Sequence, residues 1–292
     1  MFKLISDGGC DFENKDLKKH NIDIVPFYIS FDQQTYLKEG VDIRKEEYFT
    51  RLIREKNLFP KTAQPSPQDY IDVCEKHLKK GMDVMILTIA SNLSGSNNSA
   101  NLAANMLIEQ YPDRKVLVVD SRTGSIGQGL ILEELVKMRD EKYDIERARE
   151  IIMKVIETTT VYFTLDSLEY LKRGGRINST TAFVGNMLGI NPILQLQQGS
   201  VSQMDKVRGK KRAQNRIEEV IGKDLSSDAE KINFSFGHIL NENQANLFKK
   251  NIEDKLNIKV NTKTQEVGAA IGTHAGPGAM AVAYCKKYNT FL

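Results

Sequence analysis

Cysteine is scarce in this chain, and long apolar runs are missing from it. Cys10, Cys74 and Cys285 stand far apart with no CxxC pair, an arrangement that speaks against a disulfide framework and against a cysteine-rich zinc site. No apolar run approaches the ~18 residues of a membrane span, and Met1 to Ile5 leads straight into Ser6, Asp7 and two glycines without the apolar core of a signal peptide. A soluble, cytoplasmic protein is expected. An excess of one charge is also lacking: the formal net charge is +3, too small to imply a nucleic-acid partner. Several familiar motifs are absent as well. There is no GxxxxGK[ST], which disfavours a P-loop NTPase, and no GxSxG, which disfavours an α/β-hydrolase. Gly124, Gly127 and Gly129 read GxxGxG, a poor match to the dinucleotide fingerprint. His20, His77, His238 and His274 form no HExxH, so no metal site is expected.

The chain does carry enough apolar material for a substantial core, 40% of 292 residues. Its most informative stretch is Ser91-Asn92-Leu93-Ser94-Gly95-Ser96-Asn97-Asn98-Ser99. An apolar, β-branched run from Val84 to Ile89 precedes it, and a helical pattern through Ala100, Ala103, Ala104 and Leu107 follows. A strand-to-helix loop of this kind gathers hydroxyls and free helix amides at the carboxyl end of a sheet strand, where an anion can sit.

The rest of the first half alternates in the same way. Phe2 to Ile5 reads as a strand, and the Ser6-Asp7-Gly8-Gly9-Cys10-Asp11 segment after it as a binding loop or a tight turn. Ile24 to Phe31 reads as a second strand, and a helix is expected from Asp42 with Tyr48, Phe49, Leu52 and Ile53 at helical spacing. Ser66 with Pro67 marks the start of another helix, ended at Gly81. Lys115 to Asp120 is a strand, and helices follow through Leu130 to Val136 and Ala148 to Ile156. Alternation predicts an N-terminal, Rossmann-like, mostly parallel sheet with helices on both faces.

After Thr158 to Thr160 the pattern changes. Strands at Val161 to Leu165, Pro192 to Gln197, Val201 to Val207 and Ile232 to Phe236 are interleaved with helices at Asp166 to Arg173, Arg208 to Gly222 and Asn241 to Leu256, with further strands beyond Ile258. Hairpin-linked strands predict a C-terminal α+β sandwich with a mixed or antiparallel sheet. The expected class is α/β, in two closely packed domains, residues 1–158 and 159–292. His274 lies in the small-residue segment Gly268 to Gly278, read as a loop before the strand Ala279 to Cys285. There it is either an anion donor or a hydrogen-bonded core histidine.

Six segments in order carry a family resemblance: Thr62-Ala63-Gln64-Pro65-Ser66-Pro67, Ser91 to Ser96, Val119-Asp120-Ser121, Leu168 to Ile177, Asn191-Pro192-Ile193-Leu194, and Gly272 to Gly278. Together they resemble the DegV family, which includes the fatty-acid-binding subunits of bacterial fatty acid kinase. Ala63 is a departure, standing where the family commonly has serine.

The resemblance implies a long-chain fatty acid buried in a tunnel, with its carboxylate held by Thr62, Ser94 and His274 and by amides near Gly95 and Ser96. It implies no cofactor and no metal, and a separate kinase subunit that phosphorylates the carboxylate from ATP. Two basic clusters, Lys172, Arg173 and Arg176, and Lys206 to Arg216 with Arg208 among them, are then either solvated helical faces or surfaces facing the kinase or the phosphate. Burying about fifteen methylenes contributes on the order of 12 kcal/mol, against roughly 4 to 15 kcal/mol for association. Tight binding therefore requires that the carboxylate be paired, and a proton on His274 is one expected source of pairing. Two alternatives stand beside this reading. One is an acyl hydrolase with Ser94 as nucleophile, His274 as base and Asp7 or Asp120 as orienter. The other is a fatty-acid sensor without phosphoryl transfer.

Overall fold

The computed structural model describes residues 2–55, 58–177, 189–225 and 228–292. In the first half the elements are β1 (Phe2–Asp7), α1 (Asn14–Lys19), β2 (Ile22–Val25), β3 (Tyr28–Ser30), β4 (Leu37–Lys38), α2 (Lys45–Arg54) and β5 (Lys61–Ala63). They continue with α3 (Pro67–Leu78), β6 (Asp83–Thr88), α4 (Ser96–Gln110), β7 (Val116–Asp120), α5 (Ile126–Asp140) and α6 (Ile145–Thr158). Four of the strands form a wholly parallel sheet in the order β2-β1-β6-β7. Its strands are buried on both faces, as parallel strands are. On one side α3 and α4 pack Tyr70, Cys74 and Leu107, and on the other α5 and α6 pack Leu130, Leu135 and Ile152. The expected start of α3 is present as a capping box between Ser66 and Asp69, with Pro67 in the first turn.

The second half contains β8 (Thr160–Thr164), α7 (Glu169–Gly174), β9 (Ile190–Gln197), β10 (Ser200–Arg208), α8 (Lys210–Leu225), β11 (Ile232–His238), α9 (Glu242–Leu256), β12 (Gln265–Glu266), α10 (Ala269–Ala275) and β13 (Met280–Lys286). Its six strands run β10-β9-β8-β13-β11-β12, antiparallel except for the short parallel pair β11 with β12. The two-residue period of β8 decides what each side chain meets. Tyr162 packs with Ile217 and Phe248 beneath α8 and α9, whereas Val161 packs on the opposite face with Leu130 and Leu196. That second cluster joins residues from both halves of the chain into one core.

Three expectations need correction. Ile24 to Phe31 is not one strand: the chain leaves the parallel sheet after Val25, and Pro26, without an N–H to give a ladder, separates β2 from β3. β3 instead pairs antiparallel with β4 and β5 in a separate three-stranded sheet. Thr62 consequently sits within a strand. The small-residue segment around His274 is mostly helical, forming α10, because its alanines favour helix and Gly276 (φ 77°) stops it. Finally, Arg208 closes β10 and does not open the following helix.

Candidate functional site

The turn after β1 is a tight one. Asp7, fully buried, accepts from Gly9 N at 3.1 Å, then from Ile89 N at 2.9 Å, Ser96 Oγ at 2.7 Å and Gln128 Nε2 at 2.8 Å. Burial raises its carboxyl above the usual range, and these four donors oppose that rise. The effect is to pin the loop after β6 to the end of β1. Ser96 is thereby committed, since its hydroxyl also meets Tyr70 Oη at 2.7 Å and its amide donates to Ser94 Oγ at 3.2 Å.

Above the carboxyl ends of the parallel strands, and against one face of the six-stranded sheet, lies a cavity of about 390 Å³. That volume suits a small-molecule ligand. Its wall is largely apolar. Val161 and Phe163 reach it from β8, Leu196 from β9, Ala270, Ile271 and Ala275 from α10, and Phe27, Ile89 and Leu93 from the loops of the first half. Thr62, Gln64, Ser94, Ser125, Arg176 and His274 are its polar members.

Thr62 and His274 meet directly, Oγ1 to Nε2 at 2.8 Å, although 212 residues separate them. Arg176 borders the same end, its Nε donating to Leu93 O at 3.0 Å beside Ser94. Thr62, His274 and Arg176 also line a second, smaller pocket of about 80 Å³, which touches Lys61 and Arg173 as well. Burial first, and then the charges of Arg176 and Lys61, push the His274 imidazolium down to about 4. The expected proton on His274 is therefore absent near neutral pH in the empty site, because a buried ring beside two cations does not hold a charge. Nδ1 is buried without a partner among the described residues, facing Gly174, where any Cβ would collide with it. An orphaned acceptor is tolerated better than an orphaned N–H, so the ring proton belongs on Nε2, donating to Thr62. That leaves the Thr62 hydroxyl hydrogen free to donate into the cavity.

The remaining sequence-predicted residues divide. Ser94 lines the cavity, and α4 begins at Gly95 as its N-cap. Gly95 and Ser96 lie outside the cavity lining; Gln64 covers Gly95. Arg173 is exposed, pairs with Glu169 and stacks 3.7 Å from the Phe59 ring centroid. Arg208 is exposed and borders neither pocket. The hydrolase arrangement is not assembled: Asp7 is occupied as described, Asp120 accepts from Ser91 N and Arg122 N, and His274 is partnered by Thr62 and not by Ser94. Among the described residues no cluster of His, Cys, Asp and Glu has metal-holding geometry, and no helix is long and apolar enough to cross a membrane.

Two features were not foreseen from the sequence. Gln64 faces the cavity, a position signalled only by its place two residues after Thr62. The other is a pair of buried carboxyl groups at the start of α10. Asp11 Oδ1 accepts from Gly268 N at 3.0 Å, and Glu39 accepts from Ala269 N and Ala270 N. Burial raises both, Asp11 to about 6 and Glu39 to about 7, with Asp11 adding to the rise at Glu39. No spacing rule connects Asp11, Glu39 and Gly268 in advance.

The chain is similar to several known proteins over nearly its whole length. The sequence profile described as "Uncharacterised protein, DegV family" matches residues 1–287. A DegV domain-containing protein of Clostridium perfringens is 33% identical over 285 residues, covering 98% of this chain and 99% of its own. A stearic-acid-binding protein of Eubacterium ventriosum is 31% identical and superposes with a TM-score of 0.94 over 99% of this chain and 100% of its own. A Thermus thermophilus structure described as showing fatty acid binding by a DegV family protein is 28% identical, with a TM-score of 0.87 over 98% and 99%.

Proposed function

Because the chain belongs to the DegV family, we propose that it binds a long-chain fatty acid with the acyl tail in the central cavity and the carboxylate at Thr62, Ser94 and His274. The observation that carries this reading is an apolar cavity whose polar groups, apart from Ser125, are drawn from neighbouring segments around Thr62, Ser94 and His274. The tail replaces water against Val161, Phe163, Leu196 and Ile271, and the hydroxyls supply donors that the carboxylate loses on leaving water. His274 acts through Thr62, fixing its hydroxyl as a donor. Arg176 adds a half-buried positive charge at the same end. This chain supplies no catalytic residue.

The finer part of the proposal is that the bound carboxylate is presented to a separate ATP-dependent kinase subunit and leaves as an acyl phosphate. It is supported by the small second pocket, whose lining brings Lys61, Arg173 and Arg176 together with Thr62 and His274. Such a setting favours added negative charge. Arg208, outside that pocket's lining, remains a candidate for docking the kinase only. Mass spectrometry of lipid extracted from protein purified from a bacterial host tests the binding: one fatty acid per chain is expected, and repeated recovery of empty protein removes the proposal. Adding the cognate kinase with ATP then separates presentation from sensing, since a pure sensor yields no acyl phosphate.

A further inference from the structure

Gly95 carries an unusual neighbour. The amide of Gln64 packs against it, so that a Cβ at Gly95 would collide with Oε1 first and with Cδ and Nε2 as well. Nε2 donates to Ser99 Oγ at 3.2 Å, in the first turn of α4. Ser99 is itself buried, so the amide is held from below by a fixed acceptor. Gln64 as a whole is exposed, yet it is part of the cavity wall next to Thr62 and Ala63. A side chain that is at once solvent-facing and cavity-facing stands at a mouth. β5 ends at Ala63, so the residue that follows is the first one freed from the strand and able to turn across to α4.

The geometry points to Gln64 as the retaining residue of the polar end, a side-chain latch seated on Gly95 and tied to Ser99, which must swing aside for the carboxylate to leave. This rests on the fatty-acid reading and deepens it by assigning the exit. The latch needs three things in register: a long, uncharged amide at 64, no side chain at 95, and a hydroxyl at 99. Uncharged matters, because a carboxylate at position 64 would face the ligand's own carboxylate at close range. The small residue at 95 is then required for closure; its φ of −71° makes no demand for glycine.

The test uses the full chain loaded with a fluorescent long-chain fatty acid, its release followed by stopped-flow dilution into excess unlabelled fatty acid. Gln64→Ala is expected to speed release about tenfold, the effect of about 1.4 kcal/mol on the barrier. Gly95→Ala, which unseats the amide, is expected to do the same in the wild-type background and to add little in the Gln64→Ala background. Gln64→Glu is expected to weaken retention of the acid more than that of a fatty alcohol of equal length. A general loosening of the fold would not distinguish those two ligands. Melting curves accompany each variant, and Gln64→Ala, at an exposed position, serves where Gly95→Ala does not fold. Unchanged release from Gln64→Ala, or equal effects of Gly95→Ala in both backgrounds, overturns the latch. Failure of the wild-type protein to hold any fatty acid overturns the binding proposal instead, so the two failures are distinct.

Discussion

At the scale of single residues, the hydroxyl of Thr62 and the ring of His274 behave as one unit. Thr62→Val keeps the shape of the β5 side chain and removes its donor, so fatty-acid affinity should fall about 10- to 100-fold, the worth of a hydrogen bond to a charged group. The empty protein should also lose about 1 to 3 kcal/mol, because His274 Nε2 loses its acceptor, and isothermal titration on folded protein checks the affinity. His274→Ala in the Thr62→Val background should cost less than it does alone, as expected for coupled neighbours. A different pair of residues governs pH. Glu39 and Asp11 are both held above their ordinary values, so the fold favours their protonated forms. Their contribution to stability is fully present below the unfolded-state values of about 4 and is lost as pH rises through 6 and 7. Glu39→Gln, neutral throughout, should therefore flatten the decline in melting temperature between about pH 4 and pH 7, and a parallel decline in both proteins would exclude Glu39 as its source. Of these residues, Thr62, Ser94 and His274 were named from the ordered motifs. Their charge states were not, because the state of His274 depends on burial beside Arg176 and Lys61, which are distant in sequence.

At the scale of elements, most of the chain was legible where periodicity was strong. The run Val84 to Ile89, the loop at Ser91 to Ser99 and the helix through Leu107 appear as β6, its loop and α4. Short apolar runs were less legible. Ile24 to Phe31 looks continuous, but a proline and the pull of two different sheets divide it, and partner choice is not written in a strand's own residues. The glycines around His274 suggested a loop, whereas the alanines between them favour helix and packing against α7 and α2 holds that segment as α10. The end of α10 is exacting: Gly276 has φ 77°, and a Cβ there would strike the Tyr170 ring of α7. Gly276→Ala should destabilise the fold by more than ~1 kcal/mol, read from chemical denaturation. By comparison, Ser66→Ala removes one side of the α3 capping box and should cost about 1 kcal/mol while leaving fatty-acid binding intact.

For the whole molecule, the change of pattern near Thr158 to Thr160 coincides with the passage from the parallel sheet's helices to the six-stranded sheet, yet Val161 and Leu196 share a core cluster with Leu130. The cavity between these layers should couple occupancy to stability. Removing lipid should lower the melting temperature, and restoring a fatty acid at a hundred times its dissociation constant should return about 2.7 kcal/mol; calorimetry on stripped and reloaded protein measures this. The three side chains proposed to hold the carboxylate stand on three separately built supports. Thr62 rides on the three-stranded sheet, Ser94 on a loop of the parallel sheet, and His274 on α10 beside the six-stranded sheet. A carboxylate held by Thr62 and Ser94, with His274 bonded to Thr62 behind it, would act as a keystone: no single support can shift without breaking a link in that chain. The head group alone would then set how firmly the supports are joined, and a fatty alcohol that fills the same cavity should leave amide exchange around β5 and α10 faster than the corresponding acid does.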